Sequence, residues 1–207
     1  MRAGDARIRF PAMTVADTAL LTTDLLRAAH AAGKAWPDYL HAHRDRTAGW
    51  GHHLANARAT DAQRTLLAGF TRRMPVLVLT GAWCGDCAVQ CPMLGAIAEA
   101  CPAADVRFLE QEAHVGLAER VRINAGTRVP TVIWCAEDFE FCSLLGDRTL
   151  ARYRAMAARQ LGAACPLPGA PVGADEAAAT MQGWVDEFER VQLMLRLSPR
   201  LRQLHGD

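Results

Sequence analysis

Cys84 and Cys87, separated by Gly85 and Asp86, are the pair whose residue type and spacing point most directly to chemistry. At i and i+3 on the first turn of a helix, two thiols share a face, and a disulfide between them forms with little strain. Such a pair can cycle between dithiol and disulfide. Just upstream, Pro75-Val76-Leu77-Val78-Leu79-Thr80 is a short β-branched apolar run, which predicts a strand buried on both faces. Cys84 is thus expected at a strand-to-helix junction, where unpaired backbone N–H groups and the positive helix end favour thiolate over thiol. It is the expected nucleophile, with Cys87, one turn inside the helix, placed to resolve a mixed disulfide.

Cys91 extends the pair to a CxxCxxxC row. It is expected to pack as a small hydrophobe, the alternatives being an auxiliary thiol or a third metal ligand. Zinc sites share the CxxC spacing but draw on a second Cys or His pair. No such pair is evident, and no metal is expected. His41, His43, His52 and His53 match neither a helical i, i+4 pair nor a finger pattern, so solvent-facing or structural roles are expected. Cys135 and Cys142 are expected on adjacent strands, where a turn at Glu137-Asp138 would set Cys142 opposite Ile133 and Cys135 opposite Glu140. That makes them free packing thiols. Cys101 and Cys165 each precede a proline and carry no assigned role.

The elements that must position the pair follow from periodicity. From Thr14 to about Met74 the chain reads as helices, with Leu20, Leu21, Leu25, Leu26 and Ala29 at helical spacing. Pro37 suits a first turn, and Asp61 is the expected cap of a helix carrying Leu66, Leu67 and Phe70. After the first strand come a helix from Cys87 to about Cys101 with Pro92 inside it, a strand over 105–110 and a helix over 115–123. Two strands, 130–135 and 139–144, then form a hairpin. The predicted order is β-α-β-α-β-β followed by helices: 147–161, a Pro/Gly-rich connection over 165–171, and a last helix from about Asp175. On that helix Trp184, Phe188, Val191 and Leu195 form one apolar stripe, expected to pack on the domain, with a homodimer interface as the alternative.

The 207 residues, 51% hydrophobic and 22% charged, have the balance of a folded globular chain. The net charge of +1 hides an asymmetry: residues 1–73 hold 11 Lys/Arg against 6 Asp/Glu, and residues 74–150 hold 5 against 10. These opposite charges are expected to meet. The basic residues form no aromatic-and-basic stripe, which argues against nucleic acid as a partner. Neither a signal-like apolar run at Met1–Pro11 nor a membrane-length segment is seen, so a cytoplasmic, membrane-free chain is expected. In a reducing compartment, 7 cysteines read as free thiols or redox catalysts.

Several spaced features together resemble a known family. Val76 to Cys87, read as Val-Leu-Val-Leu-Thr-Gly-Ala-Trp-Cys-Gly-Asp-Cys, is followed by Pro92 and then by Arg128-Val129-Pro130-Thr131. This series resembles the thioredoxin superfamily from its central strand to its cis-proline. With the preface containing Tyr39-Leu40, and with Gly126 to Pro130, it is similar to a poorly characterised bacterial thioredoxin-like family. The resemblance spans about 36–146. It implies an α/β thioredoxin-like fold, a central mixed sheet flanked by helices, with helical N- and C-terminal extensions. The expected division is 1–73, a helical extension; 74–146, the core; and 147–207, C-terminal helices packing on the core.

The same resemblance makes Cys84 the attacking thiol and Cys87 the resolving one, with Trp83 covering the motif and Gly85 and Asp86 tuning it. Pro130 would be the cis-proline beside the sulfurs, Val129 would offer its backbone to an extended substrate, and Gly146 would admit a substrate chain. Two departures stand out. Val78 occupies the place of the buried strand carboxylate of typical thioredoxins. Asp86 replaces a proline and is expected to disfavour the Cys84 thiolate. Glu110 and Glu112 are expected at the surface, with a substitute for the missing carboxylate as the alternative.

The expected function is thiol–disulfide oxidoreduction on a protein disulfide substrate, with an external reductase or small thiol restoring the pair. The redox-active Cys84–Cys87 disulfide serves in place of a cofactor. A binding or adaptor module without turnover, using the groove at Trp83, Val129 and Pro130, is the alternative of another class. A metal carrier built on Cys84, Cys87 and Cys91 is the third.

Overall fold

The computed structural model describes residues 21–161 and 175–207. The expectations for Met1–Pro11, the helical start at Thr14 and Leu20, Cys165 and the 165–171 connection lie outside the described residues.

β1 (Met74–Thr80) is buried at every position, as its unbroken apolar run requires. It pairs in parallel with β2 (Ala104–Glu110) and antiparallel with β3 (Thr131–Cys135), which in turn pairs antiparallel with β4 (Phe141–Gly146). The sheet order is β2-β1-β3-β4. The mixed sheet and its flanking helices are those expected, and β1 lies at its centre, so its C-terminal end carries the chain to the cysteines from inside the core.

Helices α1 (Thr23–Ala32), α2 (Trp36–Ala42), α3 (Gly51–Asn56) and α4 (Asp61–Ala68) precede the sheet. Pro37 sits in the first turn of α2 as expected. The cap of α4 is Thr60 and not Asp61: Thr60 and Gln63 form a reciprocal capping box, and Asp61 falls in the first turn. This preface is fixed to the sheet by Lys34, whose backbone exchanges hydrogen bonds with Phe108 at 2.9 and 2.8 Å. The aromatic group Trp36, Tyr39 and Phe108 packs beneath it, with Trp36 and Phe108 4.7 Å apart. The charge asymmetry resolves across the same seam, where Arg46 pairs with Glu110 and Glu112, and Arg73 pairs with Asp105.

Helix α5 (Gly85–Ala100) begins two residues before its expected start and holds Pro92 in its interior. α6 (Val115–Arg120) follows β2. The β3–β4 hairpin differs from the expected one. Its turn ends on Phe139 at φ 71°, β4 begins at Phe141, and a register shift between Trp134 and Cys135 sets Cys135 opposite Phe141. Ile133 faces Leu144, not Cys142. An aromatic residue in the left-handed region carries no glycine or asparagine signal, which is why the bulge was invisible in the sequence.

After β4 come α7 (Leu150–Gln160), α8 (Glu176–Leu197) and α9 (Pro199–His205). Ser198 ends α8 and caps α9 with Pro199 behind it, so the single expected last helix is two. The stripe Trp184, Phe188, Val191 and Leu195 is buried. Trp134 meets Trp184 at 6.3 Å and Phe188 edge-on at 5.4 Å. Among the described residues no helix is long and apolar enough to cross a membrane.

Candidate active site

Cys84 is the N-cap of α5, in extended backbone conformation, half-buried at the end of the β1 loop. Cys87 lies one turn in and is fully buried. Both are free thiols, three residues apart on the first turn of α5. The Cys84 thiol donates to the Val129 carbonyl at 3.6 Å, and the Gly81 N–H donates to the Cys87 sulfur at 3.4 Å. The Val129–Pro130 peptide bond is cis. The geometry thus brings Cys84, Cys87 and Val129 together.

The expected lowering of the Cys84 ionisation by the helix end is outweighed. The backbone N–H groups of Cys87 and Asp86 do favour its thiolate, but the hydrogen bond shared with Cys87, and then burial, push the thiol up. Burial pushes Cys87 well above the ordinary thiol range, against the hydrogen bond from Cys84.

Asp86 does not burden the sulfurs as expected. The guanidinium of Arg148 binds one carboxylate oxygen, and Arg152 Nε donates to the other at 2.6 Å. Burial pushes the Asp86 carboxyl up, yet the two arginines together hold it below the usual range. Arg152 also reaches Glu176 at 2.8 Å, and Arg148 reaches Asp147 at 2.8 Å. Gln90 Nε2 donates to the Asp147 carbonyl at 2.9 Å, tying α5 to the turn after β4. Arg148 and Arg152 were missed in the sequence, since their only local signal is a position next to, and one turn beyond, the Thr149 cap of α7.

Trp83 is 57% exposed, and its indole lies over Gly81, where a Cβ would come within 2.8 Å of the ring. Gly85 has open space around it. At Gly146, by contrast, a Cβ would stand 2.6 Å from Thr131 Oγ1 and 2.9 Å from the Pro130 carbonyl. The close approach of the chain's own β3 is thus enough to require a glycine here.

The expected surface placement of Glu110 is overturned. Its side chain is 9% exposed, accepts from Tyr39 Oη at 2.6 Å and from the Ala82 N–H at 3.3 Å, and pairs with Arg46 at 3.2 Å. Glu112 is 60% exposed as expected. Cys91 is buried, with Thr80 Oγ1 at 3.1 Å from its sulfur. Among the described residues no three His, Cys, Asp or Glu side chains gather as a metal ion requires, so the geometry gives the carrier reading of Cys84, Cys87 and Cys91 no support.

Against known proteins, a family model described as Thioredoxin matches residues 33–158. The chain belongs to the thioredoxin family. That match takes in the sheet, the CxxC helix, α2 to α4 and most of α7, so the arginines that grip Asp86 lie inside the family region. Two solved structures share the fold of this thioredoxin-family chain. One is a protein of unknown function, PA1234, from Pseudomonas aeruginosa, with 16% identity, TM-score 0.54, and coverage of 77% of this chain and 91% of that one. The other is an HIV epitope-scaffold with 16% identity, TM-score 0.55, and coverage of 83% and 98%. No curated protein matches the chain.

Proposed function

We propose that this thioredoxin-family chain is a thiol–disulfide oxidoreductase acting on protein disulfides in a reducing, cytoplasmic setting. The observation that carries the reading is the paired thiol geometry: half-exposed Cys84 at the head of α5, one turn before buried Cys87 and 3.6 Å from the Val129 carbonyl. The Cys84 thiolate attacks a substrate disulfide, forming a mixed disulfide and expelling one substrate thiol. Cys87 then attacks the Cys84 sulfur, the second substrate thiol leaves, and the substrate has gained the two electrons that the Cys84–Cys87 pair has lost. An external reductase or small thiol returns the pair to the dithiol. Val129 and Pro130 form the wall against which an extended substrate segment lies, and exposed Trp83 stands at its edge.

A reading as a binding module without turnover draws support from the upward-shifted thiols, which hold little thiolate at neutral pH. Insulin-disulfide reduction separates the two. The wild-type protein is expected to reduce insulin with dithiothreitol as donor and Cys84→Ser to be inert; equal rates for the two would leave the binding module as the function.

A further inference from the structure

In the proposed reaction the buried Cys87 thiol must lose its proton before it can attack, and Val78 provides no carboxylate for that purpose. A different set of polar groups lies behind the sulfurs. The Thr80 hydroxyl, fully buried at the end of β1, stands 3.1 Å from the sulfur of Cys91, one turn beyond buried Cys87 on α5, and it contributes to the electrostatic surroundings of both Cys87 and Tyr39. Tyr39 donates to Glu110 at 2.6 Å, and Glu110 is the β2 partner of Thr80 across the sheet. Glu110 and Tyr39 also line a cavity of about 440 Å³ whose wall includes Lys34, His43 and His114. Polar groups therefore run from the surroundings of Cys87 to a solvent-filled cavity whose lining includes none of Trp83, Val129 and Pro130.

Resting on the oxidoreductase reading, we propose that Thr80, Tyr39 and Glu110 form the proton path of the resolving step. The Cys87 proton passes to the Thr80 oxygen as Thr80 releases its own to Tyr39 and Tyr39 releases its own to the Glu110 carboxylate. The Cys87 thiolate attacks Cys84, the Cys84–Cys87 bond forms as the bond from Cys84 to substrate breaks, and the substrate leaves as thiolate. Glu110 then returns its proton to solvent through the cavity. The charged and titratable groups facing Glu110 are Arg46 at 3.2 Å, Tyr39, and, along the cavity, Lys34, His43, Glu112 and His114. Tyr39 and Arg46 come from the helical preface, so in this reading the preface serves the resolving step. Tyr39, Thr80 and Glu110 are positioning and proton-handling residues, since none touches the substrate.

The test follows a single turnover of the full, reduced chain with dithionitrobenzoate, acid-quenched and read by mass spectrometry with peptide mapping. Adduct formation on Cys84 reports the first attack. Its conversion to the Cys84–Cys87 disulfide reports the second. Tyr39→Phe, Thr80→Val and Glu110→Gln each preserve side-chain shape while breaking one link. Each is expected to slow the conversion about 100-fold near neutral pH, with the deficit closing as rising pH lets hydroxide take the Cys87 proton, and to leave adduct formation within about twofold. Conversion at the wild-type rate in Thr80→Val and Glu110→Gln would overturn the path. Equal slowing of both steps, without pH dependence, would also overturn it, because that is the signature of a displaced Ala82–Cys84 loop. If the wild-type adduct itself never converts, the dithiol reading has failed, and that outcome is distinct from failure of the path.

Discussion

Arg152 donates its Nε to Asp86 at 2.6 Å from a helix that begins after β4, so the carboxylate inside the CxxC motif is neutralised by a residue 66 positions later in the chain. With Arg148 on the other oxygen, the motif is held by two cations that also reach Asp147 and Glu176. Asp86 therefore acts as a clasp between α5 and α7, and its charge is spent on the clasp before it can act on the sulfurs.

That clasp has a pH signature. Asp86 has its carboxyl depressed in the folded chain, so its stabilisation is complete above the unfolded carboxylate range and is lost as pH falls through the depressed folded value. Asp86→Asn is expected to cost about 2 kcal/mol at neutral pH, the scale of charged hydrogen bonds to a side chain that is 14% exposed. Below about pH 4 the gap between variant and wild type should narrow. Urea unfolding at neutral and acid pH measures it; a gap that widens on acidification would contradict the assignment.

Reactivity of Cys84 should respond to the same clasp in the opposite sense for its two halves. Arg152→Met leaves Asp86 with one cation and so makes a thiolate at Cys84 costlier. Asp86→Asn removes the anion and leaves two guanidinium groups nearby, which favours the thiolate. Iodoacetamide alkylation of Cys84 near pH 8, located by peptide mapping, is expected to slow in the first variant and quicken in the second. Identical rates in all three proteins would mean that the clasp is electrically silent at the sulfur.

Two glycines near the site should behave in opposite ways. Gly146→Ala forces a Cβ to within 2.6 Å of Thr131 Oγ1 and 2.9 Å of the Pro130 carbonyl, and backbone cannot swing aside as a flexible side chain can. A loss of about 1–3 kcal/mol is expected, together with slower insulin reduction as the Val129–Pro130 wall is displaced. Gly85→Ala meets open space and sits in the first turn of α5, so its melting temperature should match or exceed the wild type. Thermal melts of both variants check the contrast.

Much of this was legible in advance because the signals are local. The run over 75–80 can only be a buried strand, and two cysteines three apart at its end locate a helix start. What stayed hidden was pairing across distance. Nothing in the spacing of Tyr39 and Glu110, 71 residues apart, says that one donates to the other, and a glutamate at a strand end reads as surface until a tyrosine from the preface is folded over it. In the sequence Asp86 reads as a lone charge beside the sulfurs, because its partners lie beyond β4. The hairpin register depends on the left-handed backbone at Phe139 and the shift between Trp134 and Cys135, which no side-chain preference announces.

The C-terminal stripe was legible as an apolar face but not as the roof over a particular residue. Trp184 is fully buried, and with Phe188 it encloses the Trp134 ring on β3, two residues beyond the position where Val132 pairs with Val78 of β1. Trp184→Ala removes that cover and leaves a cavity that neighbouring rigid aromatic rings are poorly able to fill, so a loss of about 3–5 kcal/mol is expected. Because β3 also carries Thr131, which abuts Pro130, loosening the roof should lower insulin reduction before the chain unfolds. Denaturant titration monitored by circular dichroism gives the first quantity, and activity across the same titration gives the second. If activity and structure are lost together at one midpoint, α8 supports the fold as a whole; if activity is lost first, it supports the Val129–Pro130 wall in particular, as the packing of Trp134 predicts.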